Sequence, residues 1–243
     1  MLDSIKIENI LFLDIETVPQ SPDFQHLDET TQRLWTEKSA SFCKDGQSPD
    51  SVYERAGIYA EFGRIICISV GVFHHLADGQ MAFRLKSCFG DDEMKLLKDF
   101  SDLLSRFAMQ RNSMYLCAHN GKEFDFPYIA RRMLINGMNL PKILDVAGKK
   151  PWEVPFLDTM ELWRFGDYKN YTSLKLLTHV FGIPSPKDDI DGSQVAGVYW
   201  RDKDLPKIVR YCEKDVFAIA QLLLRYKGMK LIAPENLSSG TNF

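Results

Sequence analysis

Apolar positions along this chain are strongly clustered. Ile10, Leu11, Phe12, Leu13 and Ile15 form a nearly continuous run within residues 5–15, the density expected of a central strand buried on both faces. Residues 64–73 (RIICISVGVF) read as a second strand and 81–89 as a third, with Gly79 marking the turn between them. Asp91 and Asp92 then precede a helix whose apolar positions are Met94, Leu97, Phe100, Leu103, Leu104 and Phe107. Residues 115–118 read as a short fourth strand. A helix is expected from about 124 to 136, with Pro127 in its first turn and Gly137 past its end. Residues 156–158 read as a fifth strand. Thr172 or Ser173 caps a helix over 174–181, stopped by Gly182 and Pro184. Asp204 opens a last helix to about 226, with Ile208, Cys212, Val216, Ile219 and Leu223 as its apolar stripe.

Three strands followed by alternating helices and strands predict one α/β domain over 1–243, with a mixed five-stranded central sheet flanked by helices. Residues 19–62 break the rhythm. They are polar, carry Pro19, Pro22 and the loop 44–50, and hold helical patches near 29–38 and 51–61. They read as an elaboration inserted between two core strands. The tail after about 234 is expected to be flexible.

Composition narrows the class. The 243 residues include 30 basic and 33 acidic side chains, a formal charge of −3, and 45% hydrophobic residues, enough for a sizeable core. The small negative charge argues against a protein that coats nucleic acid by charge alone. No apolar run approaches the ~18 residues of a membrane span, and the first residues lack the basic-then-apolar order of a signal peptide. Five cysteines without a C-x-x-C pair point away from a disulfide framework or zinc knuckle, and toward a reducing, cytoplasmic setting.

The informative residues are acids in apolar surroundings. Asp14 and Glu16 interrupt the most hydrophobic strand, and their spacing of two puts both on one face. A buried charge is costly unless paired or bound to a cation. The competing reading places them at an exposed strand end. On the last helix Tyr211 and Asp215 stand four apart along the edge of the apolar stripe, as a hydrogen-bonded core pair or as part of a site. Asp125, just before Phe126-Pro127, suits a helix N-cap as well as a ligand role, and Glu123 is a nearby competitor. Together the four acids supply what a two-metal phosphoryl-transfer site needs, because hard divalent ions prefer carboxylate oxygens.

The ordered set Asp14-Ile-Glu16, Asn120-x-x-x-Phe124-Asp125 and Tyr211-x-x-x-Asp215 resembles the three motifs of the DEDD 3′–5′ exonucleases in their tyrosine-containing subclass. The resemblance covers nearly the whole chain. It is strongest to the stand-alone predicted exonucleases similar to the proofreading domain of B-family DNA polymerases. It implies a ribonuclease-H-like fold and two divalent cations, Mg²⁺ or Mn²⁺. By the same resemblance, Asp14 would bridge both ions, Glu16 and Asp215 would complete one, and Asp125 would hold the other. Tyr211 would orient or deprotonate the attacking water. Arg210 stands where the histidine-containing subclass places its base. Asn120 and Phe124 would position the 3′-terminal nucleotide, and an aromatic there can stack on a base; core packing is the other reading of Phe124. No polymerase portion accompanies the motifs, so proofreading in cis is not expected.

The implied reaction is hydrolysis of terminal phosphodiester bonds of single-stranded DNA, releasing nucleoside monophosphates. The alternatives are an exoribonuclease of the ribonuclease D-like type and a catalytically silent nucleic-acid-binding module, although none of the acids is lost. Lys122, Arg131, Arg132, Lys142, Lys149 and Lys150 cluster around the second motif as a candidate strand-binding face. The segment 188–192 differs from a calcium loop in glycine position and lacks a closing glutamate. His74-His75 reads as surface. No P-loop pattern occurs.

Overall fold

A computed structural model describes residues 4–111, 113–167, 171–184 and 190–242. Six strands form one mixed sheet in the order β5-β4-β1-β2-β3-β6. The strands are β1 (Ile10–Pro19), β2 (Gly63–His75), β3 (Met81–Phe89), β4 (Tyr115–Ala118), β5 (Leu157–Asp158) and β6 (Leu237–Ser239). β1, β2 and β3 are antiparallel neighbours, while β4 runs parallel to β1, β5 to β4, and β6 to β3.

Alternation along β1 splits the core into two layers. Leu11, Leu13 and Ile15 face a cluster built from α2 (Glu93–Met109) and α3 (Asp125–Ile135). Ile10 and Phe12 face α7 (Leu205–Tyr226), whose Val216, Ile219 and Leu223 complete the second cluster. Asp92 and Asp204 cap α2 and α7 by accepting backbone N–H bonds from Lys95 and Lys207.

Residues 19–62 carry their own small core. Trp35 of α1 (Glu29–Ser39) is fully buried against Val52, Tyr53 and Ala56 of the 3₁₀ segment Asp50–Ile58. The segment docks on α3, where Tyr128 Oη donates to Gly57 O at 2.8 Å and Arg132 Nη1 donates to Ala60 O at 2.8 Å. The same Arg132 is buried in an ion pair with Glu93, which also accepts from Ile65 N at 2.7 Å. α2, α3, β2 and the elaboration therefore meet at one charge pair. Arg132 is spent there and Lys122 is paired with Glu161, which removes both from the expected basic face; Arg131, Lys142, Lys149 and Lys150 stay exposed.

Two expectations are corrected. The sheet has six strands instead of five, and the sixth comes from the tail expected to be flexible. β6 pairs with Phe83, Arg84 and Leu85, and Gly240 N donates to Leu85 O at 2.9 Å. Glu213 of α7, buried, accepts hydroxyl bonds from Ser87 (3.0 Å), Ser239 (2.9 Å) and Thr241. A buried carboxylate needs such donors, and two of the three are supplied by the tail. Short helices α4 (Thr159–Arg164), α5 (Leu174–Val180) and α6 (Val195–Gly197), the last continuing into a π-helical turn Val198–Asp202, link β5 to α7. Asp188 and Asp189 of the calcium-like segment lie outside the described residues, and Asp191 caps a short 3₁₀ turn.

Candidate active site

β1 is longer than its parallel neighbour. β4 pairs only with Ile10, Leu11 and Phe12, so the next residues of β1 present an open edge on that side. Asp14 and Glu16 lie on this stretch, opposite Ser69 and Cys67 of β2, and the register slips between Glu16 and Thr17. A bulge there re-aims side chains at the end of a strand. Both acids share the α7 face with Ile10 and Phe12.

α3 packs on the other face, but its first residue reaches the open edge. Asp125 is buried, and its Oδ1 accepts the backbone N–H of Ile15, between the two β1 acids, at 3.1 Å. Asp125 is therefore not the N-cap of α3. Phe124 holds the capping position without a side-chain bond. From the first face, α7 contributes Cys212, whose sulfur lies 3.4 Å from Asp14 Oδ2, and, one turn apart, Tyr211 and Asp215. The Tyr211 hydroxyl bonds the Asp215 carboxylate. Donor atoms of Asp14, Glu16 and Cys212 all lie within 4.8 Å of one another.

The electrostatics follow from this crowding. Burial, and then Asp125, Glu16 and Asp215, hold the Asp14 carboxyl well above the usual carboxylate range. Glu16 is raised by burial and by Asp215. Asp125 is pushed up to about 7 by burial, with Asp158 and Asp215 adding to the rise and the N–H bonds from its own backbone and Ile15 opposing it. Burial and the Asp215, Glu16 and Asp14 charges drive the Tyr211 phenol further from ionisation. Among the described residues, no lysine or arginine forms an ion pair with Asp14, Glu16 or Asp125. Hard cations fit such a donor set.

The loop before α3 is shaped by a residue the sequence did not mark. Asp158, at the end of β5, is buried and accepts four backbone N–H bonds. Two come from the loop, Asn120 at 2.9 Å and Lys122 at 3.1 Å; two come from α4, Met160 at 3.0 Å and Glu161 at 3.3 Å. Asn120 is held with φ 61°, a conformation that Asn tolerates better than most residues. A Cβ at Gly121 would stand 2.4 Å from Ala118 Cβ, so the tight approach needs glycine. The Asn120 Oδ1 is buried without a hydrogen-bond partner. Phe124 is half-buried, its ring 5.3 Å from Tyr128, so it both packs and keeps an open side. The signal for Asp158 was an acid at the start of a helical pattern; Cys212 gave none that set it apart from the α7 stripe.

Residues 58–235 match the family described as "Predicted 3′-5′ exonuclease related to the exonuclease domain of PolB". The match takes in the Asn120–Asp125 and Tyr211–Asp215 segments but not Asp14 or Glu16, which folding brings beside them. Among solved structures the chain is similar to the family B DNA polymerase from the hyperthermophilic archaeon Pyrobaculum calidifontis, at 18% identity and a TM-score of 0.48. The likeness covers 90% of this chain and 24% of that one, about a quarter of the polymerase's length. No curated protein sequence matches it. No helix among the described residues is long and apolar enough to cross a membrane.

Proposed function

Because the chain belongs to the family of predicted 3′–5′ exonucleases related to the PolB exonuclease domain, we propose that it removes nucleoside monophosphates from the 3′ ends of single-stranded DNA by metal-dependent hydrolysis. The observation that carries this reading is the meeting of Asp14, Glu16, Asp125 and Asp215 in one mutually repelling cluster, Glu16 and Asp125 buried and Asp14 and Asp215 half-buried. Repulsion of this kind disfavours the folded protein, and divalent cations offset it. Asp14, Glu16, Asp125 and Asp215 would hold two such ions, Mg²⁺ or Mn²⁺. When bound, the ions polarise the scissile phosphate and ease ionisation of the attacking water.

The chain's own groups do the positioning. Tyr211 is a poor base, since its environment opposes ionisation. Its hydroxyl, anchored on Asp215, orients the water in line with the phosphorus. Asn120 offers a buried carbonyl oxygen without a partner, suited to accept a bond from a sugar hydroxyl at the 3′ terminus. Phe124 stacks on the terminal base. Arg131, Lys142, Lys149 and Lys150 supply exposed positive charge for the strand behind it, and so few cations suit short contacts. DNA is favoured over RNA by the family's relation to a DNA polymerase domain.

The test uses single-stranded DNA and RNA of equal length, labelled at the 3′ or the 5′ end, with Mn²⁺. Label at the 3′ end is expected to appear at once as mononucleotide, from DNA faster than from RNA, and Asp14→Ala is expected to abolish it. Release from the 5′ end first, or wild-type rates in Asp14→Ala, would overturn the proposal.

A further inference from the structure

A cavity of about 340 Å³ lies between β3 and α2, on the opposite face of the sheet from the carboxylate cluster. Strand alternation turns Lys86 and Cys88 toward α2, and Cys88 joins the core cluster on that face. Helical spacing sets Lys95, Asp99, Leu103 and Arg106 in one stripe of α2 facing them. Asn242 of the tail lines one side. We propose that this cavity is a binding site for a phosphate monoester, with Lys86 and Arg106 as its cationic ligands. The binding does not rest on the exonuclease reading, although the product of the proposed reaction belongs to this chemical class.

Charge carries the assignment. The chain as a whole has a formal charge of −3, yet Lys86, Lys95 and Arg106 surround this cavity against the single carboxylate of Asp99. Lys95 Nζ stands 3.4 Å from Asp99 Oδ2, so that carboxylate is matched by one of the cations. Lys86 and Arg106 form no ion pair among the described residues. Both act on the cavity floor. Burial and Asp99 push the Cys88 thiol there up to about 11, against the pull of Lys86 and Arg106. The thiol is therefore uncharged at neutral pH and does not repel an anion.

The class of ligand follows from charge and size. A phosphate monoester carries about −1.5 to −2 at neutral pH, which matches two unpaired cations, whereas each phosphodiester of a strand carries a single charge. Arg106 offers a planar fork for two phosphate oxygens, and Lys86 a point charge. The volume is at the lower end of small-molecule pockets, about 300–1,000 Å³, so it suits one small molecule better than a strand. Phe89 and Leu103 give an apolar wall for the organic part. Asn242 follows Thr241, which bonds Ser87 and Glu213, so a ligand held against Asn242 also holds the tail.

The experiment is calorimetric titration of the full chain with deoxyadenosine monophosphate and, separately, with inorganic phosphate. A chelator keeps the carboxylate cluster without metal, and in that state it repels phosphate. The expected result is one ligand per chain, saturating with a Kd below about 1 mM. Arg106→Gln and Lys86→Gln should each weaken it by at least about tenfold, the loss of one charge-assisted contact. Asp99→Asn should tighten it by releasing Lys95, while Lys44→Gln and Asp14→Ala should leave it unchanged. Melting curves verify that each variant is folded, and Asp99→Asn tests the site with the opposite sign if a cation variant does not fold. Absence of saturation, binding that survives both cation substitutions, or binding lost in Asp14→Ala overturns the proposal. So does single-stranded DNA that displaces the monoester at a lower phosphate concentration, which would assign the cations to a strand. Phosphate binding with no release of labelled mononucleotide rejects the exonuclease reading alone; release without phosphate binding rejects this site alone.

Discussion

Replacing Asp125 with asparagine is expected to stabilise the metal-free protein at neutral pH. The ordinary aspartate pKa is about 3.9, and burial with neighbouring Asp158 and Asp215 raises Asp125 to about 7. The sign follows from comparing folded and unfolded chains. Below about pH 4 the group is protonated in both, and it costs nothing. Between about pH 4 and 7 the unfolded chain ionises while the folded one holds its proton, so stability falls as pH rises. Above about pH 7 the full cost applies, roughly 4 kcal/mol at about 1.36 kcal/mol for each tenfold change in proton affinity. Asparagine keeps an oxygen to accept the Ile15 N–H bond but carries no charge. Asp125→Asn should therefore gain about 1–4 kcal/mol at pH 7.5 in the presence of a chelator, the lower figure applying where the cleft relaxes around the charge. The gain should shrink steadily toward pH 5. Urea unfolding at fixed pH steps, with the midpoint and slope measured for both proteins, reads it directly. Mn²⁺ should stabilise the wild type more than the variant, because it binds the folded carboxylate cluster. A variant less stable than wild type at pH 7.5 without metal, or a difference that does not depend on pH, would refute the argument that this carboxylate is held against its own repulsion.

Tyr211→Phe should lower turnover by about 10- to 1000-fold, equal to about 1.4–4 kcal/mol of transition-state stabilisation, with little change in KM. Single-turnover kinetics and a melting curve on one preparation separate this from a purely structural role, which would lower stability and spare turnover. Arg132→Ala should destabilise by about 3–5 kcal/mol by leaving Glu93 buried without its partner, seen as a shifted denaturation midpoint. It should also free residues 19–62 to proteolysis, whereas Arg131→Ala on the exposed face should do neither. Removing residues 237–242 should cost several kcal/mol, since Glu213 would keep only Ser87 of its three hydroxyl donors, and Glu213→Gln should recover part of that loss in the shortened chain.

Long elements with a strong period were legible in the sequence. The apolar density of β1 and the stripe of α7 located both, and the acids that broke those patterns are the ones that meet in the cleft. What could not be read depends on partners distant in sequence. Leu237–Ser239 has no apolar period; it becomes a strand because β3 offers a free edge and Glu213 needs hydroxyls. Arg132 resembled its exposed neighbours until Glu93, 39 positions away, was found beside it. Asp125 carried an N-cap signature, yet its carboxylate turns to a backbone N–H 110 positions earlier, left open because β4 is short. Cys212 was indistinguishable from a packing residue, since the proximity of Asp14 arises only when α7 lies across β1.

The hydroxyl cage around Glu213 has a consequence for the order in which a growing chain can settle. Ser87 and Thr241, joined by a backbone-to-side-chain bond, are 154 positions apart. On the ribosome, β1, β2, β3 and α7 are all made before the segment that adds the sheet's edge strand and supplies two of the hydroxyls that hydrogen-bond the carboxylate on α7. Until residues beyond Ser239 emerge, that helix has a strong apolar reason to dock and a charged reason to stay near water. The helix is therefore held loosely from the moment it emerges until the tail that follows it is made, and a cleavage before residue 237 would leave Glu213 with Ser87 alone of its three hydroxyl donors.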